Sequence, residues 1–203
     1  MTAPRTPVVF IHGLWLHAAS WTPWIDYFTA AGYDPIAPGW PNEPDTVELA
    51  REQPELVANT SIDDATAHFT KIVDSLDAAP IIIGHSFGGL LAEKLLGQNV
   101  GVAAVAIDPA QIKGVLPLPL VQLRSAFPAL GNPANLHKSV SLTAKQFRFA
   151  IGNAVTEEES QHLYDTWAIP APARPLFQAA TANFSIHSEA KVDTANQTRG
   201  RCC

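Results

Sequence analysis

Three short apolar runs constrain the fold of this chain more than any other feature. Pro7-Val8-Val9-Phe10-Ile11, Ile81-Ile82-Ile83 and the run over residues 102–107 carry β-branched or small apolar side chains without polar alternation. That is the pattern of strands buried on both faces of a parallel sheet. Each run ends at a turn signal: His12-Gly13, Gly84 and Asp108-Pro109. Helical signals lie between them. Trp21, Trp24, Ile25 and Phe28 recur at helical spacing ahead of Gly32, a natural stop. Ser61-Ile62-Asp63-Asp64 opens a second helix with a serine cap and two acids in its first turn, followed by the stripe Ile62, Ala65, Phe69, Ile72, Val73 and Leu76. A third follows Gly88 through Leu90, Leu91, Leu95 and Leu96. Residues 33–37 form a further strand candidate, weakened by Pro35, and 40–59 read as a polar, proline-bearing connection. Strands alternating with helices at this spacing predict right-handed βαβ units and an α/β fold.

Beyond about residue 116 the texture changes. No strand-like run appears, whereas helix starts do, at Thr143 and at Thr156-Glu157-Glu158-Glu159, read as a capping box. The expected organisation is a core over 1–115, an all-helical cap over 116–190, and a short return to the core over 191–203. With 203 residues, 47% hydrophobic and 16% charged, the chain has ample material for one large core. Its net charge of −6 argues against nucleic acid or an anionic membrane as partner. The N-terminus runs directly into the first strand rather than into a signal-peptide core, and no run approaches the roughly 18 apolar residues of a membrane helix, so a cytoplasmic location is expected. Both cysteines, Cys202 and Cys203, stand at the end of the sequence, and the histidines show no metal-ligand spacing. No disulfide, metal or cofactor is expected.

The chemistry is carried by Gly84-His85-Ser86-Phe87-Gly88, a G-x-S-x-G pattern placed directly after a buried strand and before a helix. Such a strand-to-helix turn lifts a serine hydroxyl clear of the sheet, and the flanking glycines let the turn close. Ser86 is therefore the candidate nucleophile. The His12-Gly13-Leu14-Trp15 loop ends the first strand, where an oxyanion hole takes one of its N–H donors; the other comes from the residue after the nucleophile. Leu14 and Phe87 are the candidate donors. Trp15 serves either as a wall of the substrate pocket or in core packing. His17 and His85 are expected to be structural.

These motifs resemble the α/β-hydrolase superfamily, over residues 7–192: a strand ending His12-Gly13, the Gly84–Gly88 elbow, βαβ alternation and a helical segment after Asp108. Ser86 with Gly88 and Gly89 is similar to its small serine esterase and perhydrolase-like branch. The resemblance implies a three-layer fold with a parallel sheet between helices, a helical lid, and acyl transfer from an ester through a covalent acyl-enzyme. It also implies an acid and then a histidine downstream of the cap, yet the sequence ends with Arg201-Cys202-Cys203, a tail without strand character. The last strands of the sheet are expected to be missing. Asp108 is a candidate acid, with an Asx turn before Pro109 as the alternative. Among His137, His162 and His187, His187 stands nearest the return to the core and is the candidate base.

The reading that follows is a serine hydrolase acting on small carboxylic esters. One alternative is a catalytically incomplete, truncated chain that at most binds hydrophobic esters, and another is cofactor-free perhydrolase or haloperoxidase-like chemistry at the same serine. A sheet ending at the 102–107 strand would leave an open edge inviting self-association.

Overall fold

The computed structural model describes residues 5–116 and 120–203, so residues 117–119 of the expected cap lie outside the described residues. Strand β1 (Pro7–Ile11) leads through a 3-10 turn (Ala18–Trp21) into α1 (Thr22–Ala30) and β2 (Asp34–Ile36). Then come α2 (Val47–Glu52), α3 (Ile62–Asp74), β3 (Ile81–His85), α4 (Phe87–Gly97) and β4 (Ala103–Ile107). The remainder contains α5 (Leu120–Leu130), β5 (Ser139–Val140), α6 (Ala144–Ala150), α7 (Glu157–Trp167), β6 (Ala171–Pro172), α8 (Arg174–Ala180) and β7 (Arg201–Cys202).

The main sheet is parallel, in the order β2-β1-β3-β4-β7. Alternation along each strand divides the core in two. Val9, Ile11, Ile82 and Ala104 join the large cluster built with Phe69 of α3 and Leu90, Leu91 and Leu95 of α4. Val8, Phe10 and Ile83 face the opposite way, onto Trp21. There Phe10 stacks on Trp21 with ring centroids 4.8 Å apart and meets Phe28 edge-on at 5.3 Å. This second face is thinly covered, since no residue of α1 is fully buried.

The helix signals are realised in the caps. Ser61 accepts from the Asp64 N–H while Asp64 accepts from the Ser61 N–H, and Thr143 with Gln146 repeats the arrangement on α6. At α7, Thr156 accepts from the Glu159 N–H without the reciprocal bond, so a simple cap stands where a capping box was expected. The connection 40–59 holds α2, capped by Thr46, whose Arg51 donates to the carbonyls of Tyr164, Asp165 and Ala168 at the end of α7.

Two expectations are corrected. The 116–190 region is not all-helical: β5 and β6 pair antiparallel, Ser139 with Pro172 and Val140 with Ala171. Two-residue strands flanked by helices leave no periodic signal. Nor does the sheet end at β4, because Arg201 and Cys202 pair with Ala103 and Ala104, and the Cys203 N–H donates to the Ala104 carbonyl at 3.0 Å. Backbone pairing alone makes this edge strand, with its side chains exposed, so side-chain propensity did not announce it. Gly200 permits the approach, for a Cβ there would fall 2.0 Å from the Val102 carbonyl oxygen.

Candidate active site

Ser86 occupies the junction of β3 and α4 at φ 54° and ψ −119°, a conformation that an L-residue holds only when its surroundings impose it. They do so from two sides. The Ser86 N–H donates to the Ile107 carbonyl at 3.0 Å, and the Ser86 carbonyl accepts from Leu90 at 3.2 Å and from Ala110 at 2.9 Å. The glycines explain themselves sterically: a Cβ on Gly84 would lie 2.0 Å from the Gly88 oxygen, and one on Gly88 would lie 2.1 Å from the Ile11 oxygen. The result is a half-buried serine at the tip of a sharp turn.

Phe87 is the first residue of α4, so its N–H has no intrahelical acceptor and stands at the positive end of the helix dipole. Across from the elbow, a Cβ on Gly13 would lie 2.8 Å from the Ser86 Cβ and 3.3 Å from His85 Nδ1. The loop carrying Leu14 therefore runs against Ser86. Among the described residues no acceptor takes the Leu14 N–H.

Beneath this loop lies a buried cluster that inspection of the sequence missed. His12, 3% exposed, places Nδ1 2.9 Å from the Gly13 carbonyl oxygen and Nε2 3.0 Å from Glu43 Oε2. The second contact becomes an ion pair when the ring is protonated. Glu43 Oε1 accepts from the Ala18 N–H at 3.0 Å and lies 3.7 Å from His17 Nε2. Burial works against a charged His12, but the Glu43 carboxylate and the Gly13 carbonyl outweigh it and hold the imidazole above its ordinary 6.5. Burial likewise pushes Glu43 up, and attraction to His12, the Ala18 N–H and His17 bring it below 4.5. His17 accepts from the Ala19 N–H at Nδ1 and so donates from Nε2 to the Pro44 carbonyl. Trp40 donates to the His12 carbonyl at 3.0 Å.

His85 is half-buried; burial lowers its pKa, Asp108 opposes the shift and His12 adds to it. Its ring is thus neutral at pH 7. Asp108, exposed at φ 42°, sits in the strained turn that returns to Ser86 through Ala110, close enough to act on His85. His187 is exposed, in a turn after α8, and no hydrogen bond or ion pair joins it to Ser86 or Asp108 among the described residues. The structure thus groups Ser86, Leu14, Phe87, His85 and Asp108, and does not bring His187 to them.

A cavity of about 200 Å³ reaches the elbow through His85 and His12, walled by Leu16, Trp21, Trp24, Phe147 and Trp167 among others. Trp15 is not in that wall. At φ 67° it turns into the core, donates from its indole to the Val140 carbonyl and borders a separate cavity of about 120 Å³ with Arg51 and Tyr164. A wider depression of about 760 Å³ lies between α5 and α6, lined by none of the elbow residues. Among the described residues no cluster of His, Cys, Asp and Glu could hold a metal, and no helix is long and apolar enough to cross a membrane.

Comparison with known proteins bears on the fold and the family. No curated protein matches the sequence. Among solved structures, an extracellular alpha/beta-hydrolase from a Paenibacillus species superposes with a TM-score of 0.64 at 22% identity, over 84% of this chain and 69% of its own. It is described as sharing structural and functional homology with tobacco salicylic acid binding protein 2. A methylesterase from Arabidopsis gives 0.61 at 14%, over 97% and 87%, and a monoacylglycerol lipase from Paleococcus ferrophilus gives 0.53 at 22%, over 85% and 65%. The chain spans only about two thirds of the length of two of these three structures. At such identities the likeness is one of fold. The sequence model described as the alpha/beta hydrolase family matches residues 8–194. With the parallel sheet and the elbow in place, the chain belongs to the alpha/beta hydrolase family.

Proposed function

We propose that this protein is a serine hydrolase of small carboxylic esters, and that Ser86 is its nucleophile. The observation carrying the proposal is the imposed backbone of Ser86, held at φ 54° by hydrogen bonds on both sides while its side chain stands at the elbow tip. Strain of this kind concentrates where a group must be presented for reaction. Ser86 Oγ attacks the ester carbonyl carbon, and the carbonyl oxygen takes the negative charge. The N–H groups of Leu14 and Phe87 receive that charge, with the α4 dipole adding to the attraction. Collapse expels the alcohol, and water then releases the acid from the acyl-serine.

The hydroxyl proton needs an acceptor. His85, neutral and adjacent in the chain, and His187, the downstream candidate, are the two to test, with Asp108 as the candidate acid. The aromatic wall formed by Trp21, Trp24 and Trp167 suits an apolar acyl or alcohol group. Similarity in fold to a methylesterase and a lipase supports the same substrate class.

A second reading is favoured by one observation: among the described residues no imidazole is hydrogen-bonded to Ser86. On that reading the chain binds hydrophobic esters without turning them over. Hydrolysis of p-nitrophenyl acetate by the parent protein and by Ser86→Ala separates the two. The hydrolase reading expects turnover that the substitution abolishes; equal rates in both would sink it. Adding hydrogen peroxide and measuring peracetic acid tests the perhydrolase alternative at the same serine.

A further inference from the structure

The buried ion pair beneath the elbow has no counterpart in the steps above, yet it touches the one peptide on which they depend. Gly13 C=O and Leu14 N–H belong to the same planar peptide unit and point in opposite directions. His12 Nδ1, 2.9 Å from the Gly13 oxygen, can hold that carbonyl only as a donor. Fixing the carbonyl fixes the direction of the Leu14 N–H. Trp40, donating to the His12 carbonyl, fixes the preceding peptide in the same way. What remains is the His12 ring itself, which is positioned by Glu43.

We infer that Glu43 is the positioning residue of the oxyanion loop: its carboxylate anchors His12, His12 orients the Gly13–Leu14 peptide, and that peptide aims the Leu14 N–H at Ser86. The inference rests on the reading of Ser86 as nucleophile. Glu43 suits the task because it ties three segments together. It reaches from the connection after β2 to His12 at the end of β1 through Oε2, and to Ala18 at the start of the 3-10 turn through Oε1. Both partners are almost wholly buried, their side chains 4% and 3% exposed, so removing either carboxylate or ring leaves the other charge unpaired in a dry site.

The groups facing the pair are few. His17, 3.7 Å from Glu43, is spoken for by Pro44 and Ala19, and His85 faces His12 from β3 with Asp108 beyond it. His12 and Glu43 are therefore the groups whose ionisation reshapes the loop. Above the elevated pKa of His12 the ring loses its charge and one of its two N–H donors, so it no longer donates to the Gly13 carbonyl and the Glu43 carboxylate at once.

The test reads the loop directly, by nuclear magnetic resonance of the parent protein, following the His12 ring nitrogens and the Leu14 amide across pH. The expected result is one shared transition, above pH 6.5, in both signals. In Glu43→Ala the Leu14 amide shift moves at neutral pH, and Ser86 labelling by a fluorophosphonate slows roughly 10- to 100-fold, as for a misplaced oxyanion donor. Glu43→Gln, which keeps an acceptor for Ala18 and gives His12 Nε2 a donor, restores most of the rate and removes the transition. A Leu14 amide indifferent to both His12 titration and Glu43→Ala overturns the inference. If the amide responds but the parent protein never labels at Ser86, the positioning stands and the hydrolase reading falls.

Discussion

Gly13 and Ser86 are separated in the chain by α1, β2, α2, α3 and β3, yet a Cβ on Gly13 would come within 2.8 Å of the Ser86 Cβ. Real Cβ atoms do not approach so closely, so the loop after β1 and the elbow after β3 are fitted to each other's backbone. The sheet makes this contact, because β1 and β3 are direct neighbours with Ile11 opposite Gly84. The meeting of the Leu14 loop with Ser86 follows from that adjacency.

Substitutions at the elbow glycines measure the fit. Gly88→Ala drives a methyl group against the Ile11 carbonyl, which is strand backbone and cannot move aside. A loss of about 3 kcal/mol or more in urea denaturation is expected. Gly32→Ala provides a contrast: it has φ 92° but open space around it, so strain alone limits its loss to about 1 kcal/mol.

Ser86 itself should separate stability from chemistry. Relieving its positive φ with Ser86→Gly is expected to stabilise the fold by about 1 kcal/mol, whereas Ser86→Ala keeps the Cβ and leaves stability within about 0.5 kcal/mol. Both should abolish esterase activity. Thermal melting of the two variants beside the parent checks this, and a Ser86→Gly protein less stable than Ser86→Ala would show that the turn is not strained.

The His12–Glu43 pair predicts a pH window. His12 has its pKa raised above 6.5, so its contribution is complete below 6.5 and is lost as pH rises through the raised value. Glu43 has its pKa depressed below 4.5, so its contribution is complete above 4.5 and is lost as pH falls through the lowered value. The stability difference between the parent and Glu43→Gln should therefore peak between about 4.5 and 6.5 and shrink on both sides, read from urea midpoints at a series of pH values.

The fold was legible where burial dominates composition. β1 and β4 are apolar throughout, β3 opens with three isoleucines, and α3 announces itself by the Ser61 cap and its Phe69 stripe. The elbow was legible because both glycines stand within two residues of Ser86 in one short motif, although the contact that demands Gly88 is with the distant Ile11 carbonyl. Glu43 was not, because its partners His12 and Ala18 are more than twenty residues away and nothing in the polar run 40–59 distinguishes it from a solvated acid. The same limit hid α2, a six-residue helix whose Arg51 finds its carbonyls on α7. β7 was hidden for another reason: Arg201 and Cys202 pair through backbone only.

That last strand leaves an edge. β7 is two residues long with both side chains exposed, and Val102 beside it is exposed too. Self-association through this edge is expected to appear as oligomers growing with concentration in size exclusion with light scattering. The measurement belongs in reducing buffer, since Cys202 and Cys203 are both free and exposed. A monodisperse monomer throughout would count against an adhesive edge.

The central claim is that Ser86 is a reactive nucleophile, and covalent labelling tests it most directly. Intact-mass analysis after exposure to a fluorophosphonate should show a single adduct on the folded parent protein and none on Ser86→Ala, with His85→Ala and His187→Ala identifying the proton acceptor. A folded parent protein that takes up no label, its α/β circular dichroism intact, would contradict the claim and leave a hydrolase fold without the reaction.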